Sequence, residues 1–303
     1  MSLPINTQCM LCCLERNIRT ARSLGTEEQA TLFARELMQI MLNSPVDVAY
    51  PSLAPEIAKL FYTHYGLDMD RFKEEKETSN AFVLARMDQI REKVAAAKDP
   101  VFAGLQFAVL GNYIDFSALR DEVSFEMLDD MLNSALEMPL DPQVYASLCR
   151  DLAAGKKLLY LTDNAGEIGF DRIFAEEIAK AFPQLSITFC VRGGAANNDA
   201  TREDAAAVGI PFPVIDNGTS IPGTPVSLIS EASRQALEEA DVIISKGQSN
   251  VETMLGCGYN VYYAFLVKCV RFMDLFGREK LTPMLVRDPE FRSLCHNKGM
   301  KKS

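Results

Sequence analysis

The chain has 303 residues, 48% apolar and 24% charged, with a formal net charge of −10 and eight cysteines but only two histidines. This is enough length for one large domain or two smaller ones with a sizeable core. The acidic balance argues against a general nucleic-acid binder, the lack of any long apolar run argues against a membrane span, and the two histidines argue against zinc hydrolase sites built on several imidazoles. No signal-peptide pattern opens the sequence, so a cytoplasmic protein with reduced thiols is expected.

In chain order, the first half predicts helices. TEEQATLFARELMQIMLNS (26–44) begins with a capping box, Thr26 to Gln29, and keeps an apolar stripe at helical spacing. APEIAKLFYTHY, NAFVLARMDQIREKVAAAK, DPVFAGLQFAVLGNYIDF and SFEMLDDMLNSALEM continue the pattern, separated by proline, glycine or acidic turns. Near the amino terminus, CMLCC (9–13) contains a CxxC, Cys9 to Cys12, with no second CxxC to complete a four-thiolate site. Buried helix cysteines are the plainer reading. Cys295 and His296 would add ligands only if the two chain ends met.

From about residue 155 the texture changes. KLLYLT, SITFCVR, PFPVID, DVIISK and NVYYAFLV read as strands, alternating with helical stretches. Repeated strand–helix alternation predicts a mostly parallel sheet covered by helices. The expected fold is therefore α/β: a helical domain over 1–150 and a Rossmann-like three-layer α/β/α domain over 151–303.

Ligands of such sheets sit beyond the carboxyl ends of the strands. The loops there are TDNAGE (162–167), RGGAANNDAT (192–201), IDNGTSIPG (215–223) and KGQSNVE (246–252). In the first, a capping box from Asn164 to Glu167 accounts for two residues but leaves Asp163 unexplained. It also puts Gly166 inside a helix start, where it costs roughly 1 kcal/mol against alanine unless a ligand must come close. In the second, Asn198 or Asp199 is either the cap of the next helix or a second acidic group on the same rim, and Gly193 either a plain turn or a close-approach point. Asp163, Asn164 and Asp199 together offer two carboxylates and an amide oxygen, a donor set suited to a hard divalent ion. In the fourth, Ser249 to Glu252 reads as a further capping box. Lys246 ends a buried strand, where an ammonium needs an anionic partner, and a phosphate would be one. Arg192 is the other basic residue of these loops. No P-loop or GxSxG motif occurs.

The ordered set DNAGE, VRGGAANNDAT, DNG and KGQSNVET is similar to the metal-dependent damage-control phosphatases. LDMDRFKEEKETSN (67–80) resembles that family's Asp-x-Tyr-x-x-x-Lys-x-x-x-Asn pattern, with Phe72 for the tyrosine, and LGNYIDF (110–116) its Gly-Asn-x-x-Asp-Phe element. The amino-terminal CxxC resembles its stand-alone microbial branch. The resemblance implies hydrolysis of small phosphate monoesters, sugar phosphates or damaged phosphometabolites, with Mg²⁺, Mn²⁺, Co²⁺ or Ni²⁺. It places the metal ligands on Asp163, Asn164 and Asp199, the phosphate contact on Lys246, and further pocket groups on Asn112 and Asp115. Catalytic roles are expected for Asp163 and Lys246, and for Glu167 as a base. The open alternatives are a non-catalytic Rossmann-like binder of nucleotides or metabolites and, lower, an S-adenosylmethionine-dependent carboxyl methyltransferase, which would lack its Gly-x-Gly-x-Gly. A small phosphorylated metabolite is the expected partner, with no nucleic acid and no membrane.

Overall fold

The computed structural model describes residues 2–68, 70–113 and 125–288. Helices α1 (Thr7–Leu24), α2 (Glu27–Asn43), α3 (Ala54–Tyr65), α4 (Lys73–Leu84), α5 (Met87–Ala96), α6 (Pro100–Gly111), α7 (Phe125–Ser134) and α8 (Pro142–Ala154) precede the first strand. The Thr26–Gln29 capping box forms as its sequence predicts. The stretch NAFVLARMDQIREKVAAAK is not one helix: α4 ends and α5 begins around Ala85–Arg86, where the Arg86 side chain folds back to the Phe82 carbonyl at 3.1 Å.

The second half alternates as expected: β1 (Lys157–Leu161), α9 (Glu167–Ala181), β2 (Ser186–Val191), α10 (Arg202–Ala207), β3 (Val214–Asp216), α11 (Glu231–Glu239), β4 (Val242–Lys246), α12 (Gln248–Met254), β5 (Val261–Leu266) and α13 (Val270–Phe276). A sixth strand, β6 (Pro283–Arg287), was not read from the sequence and pairs antiparallel with β5. The sheet order is β3-β2-β1-β4-β5-β6, with all pairs but the last parallel.

Every residue of β4 and β5 is buried, because helices cover both faces of the sheet. Alternate side chains divide between two cores. Leu158, Tyr160, Phe189 and Ile244 pack with Leu105 and Val109 of α6, Leu148 of α8 and Phe174 of α9. Leu159, Leu161, Ile243 and Phe265 pack with Leu237 of α11, Met254 of α12 and Phe272 of α13. Helices from the first half of the chain thus share a core with the sheet.

The strand order reverses between β1 and β4, and at such a switch point the two following loops diverge and leave a crevice. Leu161 pairs with Cys190 on one side and Ser245 on the other, so the loops after β1, β2 and β4 leave the sheet at one level. Among the described residues no helix is long and apolar enough to cross a membrane.

Candidate active site

The loop after β1 does not cap its helix as the sequence suggests. Helix α9 starts at Glu167, and Gly166 is its N-cap residue with φ +76°. A Cβ on Gly166 would come within 2.8 Å of Ser79 Cβ. Glycine is needed there for the left-handed backbone and for the approach of α4, rather than for a ligand. The Gly166 amide donates to Asn80 Oδ1 at 2.7 Å, while Asn80 Nδ2 donates to Asp204 at 2.9 Å and Lys76 pairs with Asp204 at 2.6 Å. The Lys-x-x-x-Asn part of the 67–80 motif therefore clamps α4 onto the loop after β1 and the first turn of α10. Thr201, not Asn198 or Asp199, caps α10, in a capping box with Asp204.

Asp163, Asn164 and Asp199 come together. Asn164 and Asp199 form an isolated antiparallel bridge, and the Ala200 amide donates to the Asp163 carbonyl at 2.7 Å. A Cβ on Gly247, after β4, would overlap the Asp163 carboxylate, and Gly247 has φ +77°. Asp163 Oδ2 accepts from Asn112 Nδ2 and Asn164 Nδ2, each at 2.9 Å. Both Asn164 amide donors turn inward, the second to Glu167 Oε2 at 2.9 Å, so its carbonyl oxygen is the side-chain atom that could face a cation. Burial first, then the charges of Asp199 and Glu167, push Asp163 well above the usual carboxylate range, while Lys268 and Arg192 pull it back. A buried carboxylate raised by neighbouring negative charge is what a bound cation would relieve. Among the described residues no cluster of three His, Cys, Asp or Glu side chains has metal-site geometry; the donor set here is two carboxylates and an amide, which suits an oxygen-seeking ion.

Other residues singled out from sequence support this loop from behind. Lys246 is fully buried, and its Nζ donates to Glu167 Oε1 at 2.6 Å, Asp171 Oδ1 at 2.8 Å and the Ala108 carbonyl at 2.7 Å. Burial alone would lower its pKa, but the charges of Asp171 and Glu167 raise it instead. Its anionic partner is thus a pair of carboxylates, and all three ammonium donors are spent. Glu167 is also fully buried: Oε1 takes Lys246, and Oε2 takes Asn112 and Asn164. Asn112 bridges Asp163 and Glu167 with its amide nitrogen and accepts from the Leu266 amide at 3.2 Å. Arg192 is 1% exposed and donates to Asp199 Oδ2 at 2.6 Å and the Thr162 carbonyl at 3.1 Å. The Gly193 amide is taken by the Thr219 carbonyl at 2.9 Å. Asp115, Cys295 and His296 lie outside the described residues. The Ser249–Glu252 capping box does not form: α12 starts at Gln248 behind Gly247, and Glu252 is buried in a cavity wall.

That cavity, of about 610 Å³, runs from Asp163, Asn164 and Asp199 toward α1. Lys268, half-buried two residues beyond β5, lines it and is close enough to lower the Asp163 pKa. Sequence reasoning passed over Lys268, although the signal that marked Lys246, a lysine just past an unbroken apolar strand, was present in YAFLVK. Cys9 and Cys12 line the far wall, with Cys9 accepting from Arg271 at 3.3 Å.

This mixed α/β fold, with two buried carboxylates gathered at the switch point of its sheet, matches the fold of a protein already described. Residues 5–282 match the family model of the damage-control phosphatase ARMT1-like domain, and the chain belongs to that family. It is 29% identical over 276 residues to the damage-control phosphatase PH1575 of Pyrococcus horikoshii, covering 88% of this chain and 92% of that one. It is 30% identical over 288 residues to the uncharacterised protein MJ0202 of Methanocaldococcus jannaschii, covering 91% and 93%. A damage-control phosphatase of Archaeoglobus fulgidus is 31% identical over 205 residues, covering 67% and 69%. The crystal structure of the P. horikoshii protein superposes with a TM-score of 0.80 at 25% identity, over 94% of this chain and 99% of that one.

Proposed function

We propose that this protein is a divalent-metal-dependent phosphatase acting on small phosphate monoesters. The observation that carries the reading is the pair of buried carboxylates, Asp163 and Asp199, at one end of a cavity that Lys268 also lines. The family relationship supports the reaction class.

A cation held by Asp163, Asn164 Oδ1 and Asp199 would supply charge neutralisation and polarisation of the phosphoryl group. Lys268 places a positive charge beside Asp163, where the equatorial phosphoryl oxygens gain charge in the transition state. Arg192 fixes Asp199 through Nε and is anchored on the Thr162 carbonyl, so that carboxylate keeps one orientation. Asn112 and Asn164 hold Asp163 Oδ2, while Arg192 lies 3.9 Å from Oδ1. Oδ1 would then be the atom to hold the cation or, in a covalent variant of the reaction, to attack phosphorus. Lys246 and Glu167 act through position alone: their ion pair fixes the start of α9 and, through Asn112 and Asn164, the Asp163 carboxylate.

The test is phosphate release from a panel of sugar phosphates and an aryl phosphate by metal-stripped protein. Mg²⁺, Mn²⁺, Co²⁺ and Ni²⁺ are added back singly, beside Asp163→Ala and Asp199→Ala. Turnover that requires a cation and disappears in both folded variants is expected. Turnover indifferent to chelator, or retained in both variants, would sink the reading.

A further inference from the structure

CMLCC (9–13) has no part in the phosphatase reading, and the fold sends its three sulfurs to two places. Cys13 is fully buried and packs with Phe33, Leu37 and Phe61 in the core of the amino-terminal helices. Cys9 and Cys12 of α1 both line the cavity of about 610 Å³, Cys9 buried and Cys12 exposed. All three are free thiols. On an α-helix, Cα atoms three residues apart lie about 5 Å from each other, inside the roughly 4.4–6.8 Å that a disulfide spans. The backbone of α1 thus already has the spacing that a Cys9–Cys12 bond needs.

Cys9 stands where a sulfur acts as a nucleophile. It is the third residue of α1, and its amide donates to Oδ1 of the N-cap residue Asn6 at 3.0 Å. Arg271 of α13 donates to Cys9 Sγ through Nη1 at 3.3 Å. Gln8 Nε2, donating to Asp274 Oδ2 at 2.7 Å, ties the same turn of α1 to α13, so the guanidinium is carried on an element fixed against the sulfur. The first turn of a helix and a neighbouring arginine are two features that make a cysteine reactive toward disulfides. Cys12, one turn further on, offers the second thiol from the solvent side. Cys269, the third thiol of this wall, begins α13 and accepts from Gln248 Nε2 at 3.3 Å.

We propose that Cys9 and Cys12 form a thiol–disulfide exchange site opening on the cavity, and that its substrate is a low-molecular-weight disulfide. The Cys9 sulfur, its proton given up to solvent, attacks one sulfur of that disulfide. The S–S bond breaks, and the first thiolate leaves and takes up a proton. Cys12 loses its proton to solvent and attacks the Cys9 sulfur of the mixed disulfide, and the second thiolate leaves and is protonated. The two protein thiols lose two electrons in all, and the small disulfide gains them to become two thiols. The exchange needs neither a cation nor a phosphate, so it stands or falls separately from the phosphatase reading.

The test incubates reduced wild type anaerobically with glutathione disulfide and a chelator. Unreacted thiols are blocked in denaturant with one alkylating reagent, and disulfides are then reduced and marked with a second. Fragment-ion mass spectrometry assigns each mark to its cysteine. The second mark is expected on Cys9 and Cys12 in equal amounts, with Cys13 and Cys269 keeping the first. Cys12→Ser is expected to stop at the mixed disulfide, with one glutathione held on Cys9. Arg271→Met is expected to slow the appearance of the second mark by about tenfold. Cys12 is exposed, so its variant keeps the test open if Arg271→Met fails to fold. Cys9 and Cys12 both keeping the first mark in a large excess of glutathione disulfide overturns the proposal. So does a second mark shared between Cys9 and Cys269, glutathione carried by Cys12 alone, or a folded Arg271→Met that reacts at the wild-type rate.

Discussion

The ammonium of Lys246 donates to Glu167 Oε1 at 2.6 Å, and neither side chain has any exposed surface. With Asp171 the group contains one cation and two carboxylates, and Asp171 Oδ2 is buried without a hydrogen-bond partner. The charge sum is poised: removing the lysine leaves two buried carboxylates with no counter-charge. Lys246→Met is therefore expected to destabilise the fold by about 3–5 kcal/mol in urea denaturation. A rise in KM with unchanged urea midpoint would instead mean that Lys246 meets the substrate.

Asp163 carries the opposite expectation. Its charge is opposed by burial, Asp199 and Glu167, so Asp163→Asn, which keeps an oxygen for Asn112 and Asn164, should stabilise the metal-free protein by about 1 kcal/mol. The same change should lower turnover by about 10³ or more. Added Mn²⁺ should raise the melting temperature of the wild type and leave that of the variant unmoved.

Lys268 separates catalysis from stability. It is half-buried at the cavity wall rather than inside the core. Lys268→Met is expected to cost about 10²-fold in kcat/KM while altering stability by less than about 1 kcal/mol. Steady-state kinetics and urea denaturation of the same preparation check both halves.

Burial pushes Glu252 from an ordinary 4.5 up to about 7, against the pull of Arg271 and Arg16. The folded state then holds a proton that the unfolded state releases, so this group's contribution is fully present below pH 4.5 and is lost as pH rises through about 7. Glu252→Gln should gain stability relative to wild type by about 2–3 kcal/mol between pH 5 and pH 8. A difference independent of pH would show that Glu252 is ionised throughout.

Much of the architecture was legible because periodicity and burial are linked. The strand runs KLLYLT and DVIISK are apolar on both faces because helices cover both faces, and the Thr26–Gln29 box announces α2 through one backbone interaction. β6 was missed because Pro283–Arg287 is a short, largely half-buried edge strand whose identity depends on its neighbour β5. The break between α4 and α5 lacks glycine or proline, and Arg86 folding back on Phe82 is a side-chain event no periodicity shows.

At the site, the sequence by itself determined which residue types gather at the strand ends: Asp163, Asn164 and Asp199 lie in loops that a parallel sheet must bring to one rim. Only the tertiary structure decided which way each polar side chain faces. Lys246 and Lys268 both follow unbroken apolar strands, yet one is fully buried against Glu167 and Asp171 of α9 and the other is half-buried at a cavity wall. The sequence shows that a lysine at a strand end needs an anion. Whether that anion is a neighbouring carboxylate or a substrate depends on which helix packs above it, because a buried charge pairs with the nearest counter-charge the fold supplies.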